Sequence, residues 1–148
     1  MITFDWIQDP LSVMKYMGQI QALAAQLKNV KTCDVPRALL EFFFAAACTS
    51  GHVVLALDED LLGVVGMATL VPIRKLTGFE GMIHDFVVTE QRVAPDKRRD
   101  IQQQLMDVLI AKAKLLEMET LYAESLIQIG ETRIVRRQRE RIWIDLTR

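Results

Sequence analysis

The residues with chemical potential fall into three clusters. His84 stands beside Asp85 in the stretch GMIHDFVV. A histidine changes charge near neutral pH, which suits a group that must take up a proton. Lys97, Arg98 and Arg99 are consecutive and open a long helical pattern. Cations there can bind phosphate through charge-assisted hydrogen bonds. RIVRRQRER, from Arg133 to Arg141, sets five arginines against one acid, a pattern that can contact a nucleic-acid backbone. Each cluster also has a plainer reading. A histidine on a strand is more often a packed structural residue, Glu90 just past the same strand reads as a solvated loop acid, and a charged run at a helix end often only faces water.

Composition narrows these choices. The chain has 148 residues, 51% hydrophobic and 25% charged, as expected of one compact domain spanning 1–148. Its formal charge of -1 predicts no electrostatic attraction to nucleic acid or membrane at the whole-chain level. The arginine run then reads as a solubilising flank for Ile142, Trp143 and Ile144. Cys33 and Cys48 are far apart and the chain has only two histidines, so no zinc-ligand set is expected. The opening MITFDWIQDP carries no basic-then-apolar leader and no 18-residue apolar run occurs, which predicts a protein of the reducing cytoplasm.

The elements that must position these residues follow from periodicity. ITFDWI alternates as a strand and ends at Asp9-Pro10. Val13, Met17, Ile20, Leu23, Leu27 and Val30 recur at three and four, predicting a helix over 11–30. Asp34 followed by Val35-Pro36 starts a second helix that runs to Gly51. HVVLAL and LLGVVGMATLVPI form a hairpin about Asp58-Glu59-Asp60, and a loop from Arg74 to Gly81 leads to the strand MIHDFVV. The next helix carries Ile101, Leu105, Val108 and Leu109 mainly on one side. TLYAES and RIWIDL are the last two strands, separated by an unassigned stretch. The sum is an α+β domain with a mixed central sheet flanked by helices.

That order, with HVVLALDEDLLGVVGMATL, GMIHDFVV, and the helix with LYAES behind it, resembles the GNAT superfamily of N-acetyltransferases. The resemblance implies the GNAT-like acyl-CoA N-acyltransferase fold and transfer of an acetyl group from acetyl-CoA, as co-substrate, to an amine. It implies that the pantetheine arm pairs with exposed backbone of the fourth strand, here Phe86, Val87 and Val88, between splayed fourth and fifth strands. The pyrophosphate would meet the start of the third helix, within Lys97, Arg98, Arg99, Asp100, Ile101, Gln102 and Gln103. Helix starts suit anions through free N–H groups and the macrodipole. His84 lies where the fourth strand borders the acetyl group and is the candidate base; by strict alternation Asp85 points to the opposite face.

The departure from the family is at the phosphate site. Members place small residues there so that the backbone can touch phosphate, whereas this chain has KRRDIQQQ and no glycine between Gly81 and Gly130. Counting from Lys97 puts Asp100 and Gln102 at the small positions; counting from Arg98 puts Ile101 and Gln103 there. Either the cationic side chains replace the backbone donors, or Asp100 and the glutamines exclude the cofactor and the fold serves as a silent binding module. The family's tyrosine acid has no counterpart after TLYAES; Tyr122 and Tyr16 read as packing residues. The short tail leaves sheet edge to be covered, and RIWIDL is the strand expected to pair in a homodimer.

Overall fold

A computed structural model of the chain describes residues 1–29, 35–124, 134–138 and 141–146. Strand β1 (Ile2–Trp6) leads through a 3-10 turn (Pro10–Tyr16) into α1 (Met17–Leu27) and α2 (Arg37–Ser50). Then come β2 (His52–Asp58), β3 (Gly63–Lys75), β4 (Gly78–Val88), α3 (Pro95–Leu115), β5 (Thr120–Glu124), β6 (Ile134–Gln138) and β7 (Arg141–Ile144). One sheet orders them β1-β2-β3-β4-β5-β7-β6. All adjacent pairs are antiparallel except β4 and β5, so the sheet is mixed, as the sequence predicted.

Both faces of the sheet are covered. Ile101, Leu105, Met106, Leu109 and Ala113 turn the buried stripe of α3 onto Val54, Ala68, Leu70, Ile83, Leu121, Ile142 and Ile144. On the other face Val13, Met17, Ile20, Leu23 and Phe44 pack against Val53, Leu55, Val64, Met67 and Val87. The helix α1 also binds the sheet by hydrogen bonds. The β2–β3 register slips between Ala56 and Leu57, and the Val64 N–H donates to Gln19 Oε1 at 2.7 Å. A Cβ at Gly63 would meet the end of the Gln19 side chain, which would have to shift away from it.

Four expectations change. The first helical stripe divides, because a 3-10 turn capped by Asp9 precedes α1 (Leu11 N–H to Asp9 Oδ1, 3.0 Å). The loop expected over 74–81 is mostly strand, since Arg74 pairs with Phe79 and Lys75 with Gly78, leaving a tight turn at Leu76-Thr77. The unassigned stretch contains β6. Finally, β7, the RIWIDL strand, is interior: β5 uses one edge and β6 the other. It therefore has no free edge for a second chain, which corrects the proposed route to a homodimer. Cys33, Asp34, Ser125, Gly130, Arg133 and Arg139 lie outside the described residues.

Candidate active site

The parallel pair β4–β5 opens the site. Its register runs Glu80↔Thr120, Gly81↔Leu121, Met82↔Tyr122 and Ile83↔Ala123. There the pairing ends, while β4 continues for five residues to Val88. Past Ile83 the β5-facing edge of β4 has no strand partner among the described residues.

At the parting point β4 is bulged. Its register against β3 passes from Thr69↔His84 to Met67↔Val87 with a shift, and Asp85 takes a left-handed φ of 53°. The extra residue breaks the two-residue alternation, and the Thr69 hydroxyl donates to Asp85 Oδ2 at 3.3 Å. Thr69 pairs with His84 across the strands, opposite Val53 of the α1/α2 face on β2. His84 and Asp85 therefore lie on the same side of the sheet, and the expectation of opposite faces fails because it assumed unbroken pleating. His84 is half-buried and Asp85 exposed. Tyr122, across from Met82, shares that face and is buried beside Trp143, the ring centroids 5.9 Å apart. Tyr16 lies on the 3-10 turn with the Lys15 ammonium 4.8 Å from its ring centroid.

Beyond the bulge the backbone directions are fixed. The Thr89 N–H donates to the Val65 carbonyl at 2.8 Å, so Val88, one residue earlier, turns its N–H and C=O to the open side. The same alternation turns Phe86 outward and Val87 toward Met67. The side chains of Val87 and Val88 are buried and that of Phe86 packs against the α3 core, so along its edge without a strand partner this segment presents main chain. One group there is engaged by a residue the sequence reading missed. Gln26 Nε2 of α1 donates to the Val88 carbonyl at 2.9 Å, and its Oε1 accepts the Glu90 N–H at 3.0 Å. Only an amphipathic position on α1 marked Gln26 in the sequence.

The loop into α3 is held by Arg92, which donates to the carbonyls of Val64 and Leu61 at 3.0 Å each. Helix α3 begins earlier than expected, at Pro95, and its cap residue Ala94 makes no side-chain hydrogen bond. The Arg98 N–H already bonds Ala94 O at 2.8 Å. Pro95 has no N–H, so the main-chain donors left over are those of Asp96 and Lys97. From Arg98 to Gln103 the N–H groups are spent inside the helix, and these residues offer side chains only.

Those side chains differ sharply. Lys97 Nζ lies 2.9 Å from Oδ2 of Asp58, whose side chain is 0% exposed. The hydrogen bond from Lys97, supported by the N–H groups of Asp60 and Leu61, holds the Asp58 carboxyl below its ordinary range against the opposing effect of burial. Lys97 thus ties α3 to the β2–β3 turn. Arg98 is half-buried and Arg99 exposed, and neither is paired with a carboxylate among the described residues. Asp100 is exposed, Ile101 is wholly in the core, Gln102 is half-buried, and Gln103 donates to Asp107 Oδ1 at 3.0 Å. Among the described residues no three His, Cys, Asp or Glu converge on a metal position. No helix there is long and apolar enough to cross a membrane.

No family model and no curated protein match the sequence. Solved structures do match its shape. Glucosamine-6-phosphate N-acetyltransferase from Arabidopsis thaliana superposes with a TM-score of 0.63 at 15% identity, over 82% of each chain. A GNAT-family acetyltransferase from Staphylococcus aureus gives 0.63 at 14% identity, over 98% of this chain and all of its own. A predicted acetyltransferase from Clostridium acetobutylicum, solved with acetyl-CoA, gives 0.60 at 13% identity over 83% and 80%. The fold is therefore that of the GNAT acetyltransferases.

Proposed function

We propose that this protein transfers the acetyl group of acetyl-CoA to an amine. One observation carries the reading: among the described residues the pairing of β4 with β5 ends at Ile83, while β4 runs on to Val88 with main-chain groups on that edge that have no strand partner, ahead of the start of α3. An extended ligand with amide groups can pair with such an edge, and a diphosphate is favoured near the helix start. The outward amides of Phe86 and Val88, with Val87 holding the strand in register, would receive the pantetheine arm. Arg98 and Arg99, the unpaired cations, would take the pyrophosphate with the Asp96 and Lys97 N–H groups. Gln102 and Gln103 would border it, Asp100 would sit at its rim, and Ile101 would pack the helix beneath. Lys97 contributes its backbone, its ammonium being held by Asp58.

His84 would serve as base on the α1/α2 side. It would take a proton from the acceptor ammonium; the amine nitrogen then attacks the thioester carbonyl, gives up its second proton to water as the C–S bond breaks, and the departing thiolate is protonated from the same water. Calorimetric titration with acetyl-CoA should give saturable binding that weakens about tenfold or more when Arg98 and Arg99 are both changed to Ala, two charge-assisted contacts being lost. With an amine panel, His84→Ala should slow thiol release by roughly a hundredfold; unchanged turnover would remove His84 from the reaction.

A second reading, a silent binding module, is favoured by one feature: α3 begins at Pro95, so the N–H groups from Arg98 onward are consumed inside it. Absence of acetyl-CoA binding at millimolar concentration would select it.

A further inference from the structure

The Gln26 carboxamide lies where a ligand amide would be received. A side-chain amide carries one donor group and one acceptor, the same pair a peptide-like amide offers a strand edge. Here both halves are used: Nε2 on the Val88 carbonyl at 2.9 Å and Oε1 on the Glu90 N–H at 3.0 Å. The Val88 carbonyl faces the open side of β4, because Thr89 bonds β3 through Val65. We propose that Gln26 gates the cleft: its carboxamide occupies a pairing position on β4 that an amide of the pantetheine arm needs, so the cofactor binds only by displacing it. The inference rests on the acetyl-CoA reading above.

The rest of α1 does not depend on this contact. Gln19, seven residues earlier and so on the same face of the helix, is bound by the Val64 N–H at 2.7 Å. Met17, Ile20 and Leu23 are buried in the core of that face. Rotating the Gln26 side chain away therefore frees Val88 and leaves α1 docked. Because α1 also covers the sheet face that carries His84, the gate couples entry of the cofactor to the side where the acceptor must arrive. Giving up two neutral hydrogen bonds before binding lowers apparent affinity by on the order of tenfold.

The test is acetyl-CoA binding to wild type, Gln26→Leu and Gln26→Met, each shown to be folded by its melting transition, with neutral S-acetylpantetheine as a second probe free of phosphates. Gating predicts that either folded variant binds both probes about tenfold more tightly than wild type. Binding by wild type with unchanged or weaker binding by the variants would make Gln26 a structural brace and overturn the gate alone. Absence of binding by all three proteins would overturn the gate together with the acetyltransferase reading.

Discussion

At the residue scale, Lys97 shows how burial reassigns a charge. In sequence it is the first of three equivalent cations; in the fold its ammonium is 2.9 Å from a carboxylate with no exposed surface. Removing it would strand Asp58 with only the Asp60 and Leu61 N–H groups. Lys97→Met should therefore cost about 2 kcal/mol in urea unfolding at neutral pH. The pH dependence has a definite sign. The folded Asp58 carboxyl titrates below its unfolded value of about 3.9, so its contribution is complete above that value and is lost as pH falls through the folded one. The stability gap between wild type and variant should accordingly narrow in acid below about pH 4; a gap independent of pH would exclude the ion pair as its source. His52 lies on β2 beside Trp6, their ring centroids 6.3 Å apart. Burial first and Lys112 second hold its imidazole below the ordinary histidine value. Its contribution is present above about pH 6.5 and lost as pH falls from there.

At the scale of elements, α3 borders the candidate site, and only its start follows the usual sequence signals. At the start, Pro95 supplies the fixed φ of a first helical residue and Asp96 the acid that suits the positive end of the dipole. At the end, the Glu117 N–H bonds Lys114 O and the Met118 N–H bonds Ala113 O, both at 3.0 Å, with Glu117 at φ 60°. This is the Schellman closure, which glycine usually completes. Glu117→Gly should stabilise the protein by about 0.5–1 kcal/mol, because the left-handed conformation then costs no side-chain clash. Destabilisation in urea would mean that the glutamate side chain makes a contribution larger than that strain. The strand and helix patterns around the site were legible because periods of two and 3.6 are local properties. The bulge at Asp85 was not: nothing in HDFVV distinguishes an unbroken strand from one whose β3 partner shifts register.

At the scale of the whole molecule, the C-terminal hairpin completes the sheet that α3 covers. Ile142 and Ile144 sit in the same core as Ile101, Leu105 and Leu109, and β7 lies between β5 and β6. Ile142, with 0% exposure, is therefore part of the main core. Ile142→Ala should cost about 2–5 kcal/mol with a single cooperative transition retained. A loss below about 1 kcal/mol, or a separate early transition, would show that the hairpin folds independently of the α3 core.

The amino-acid order alone determined most of the helices and strands, though not the 3-10 turn or β6, together with the mixed sheet and its likeness to GNAT proteins, because hydrophobic period, turn residues and helix starts act over a few neighbours. The tertiary structure decided which groups at the candidate site remain available. Lys97 is taken by Asp58 across 39 positions and Val88 by Gln26 across 62, and β7 is enclosed by strands on both sides. Those outcomes depend on burial and on pairing between distant segments, and neither is specified until the sheet has closed around them.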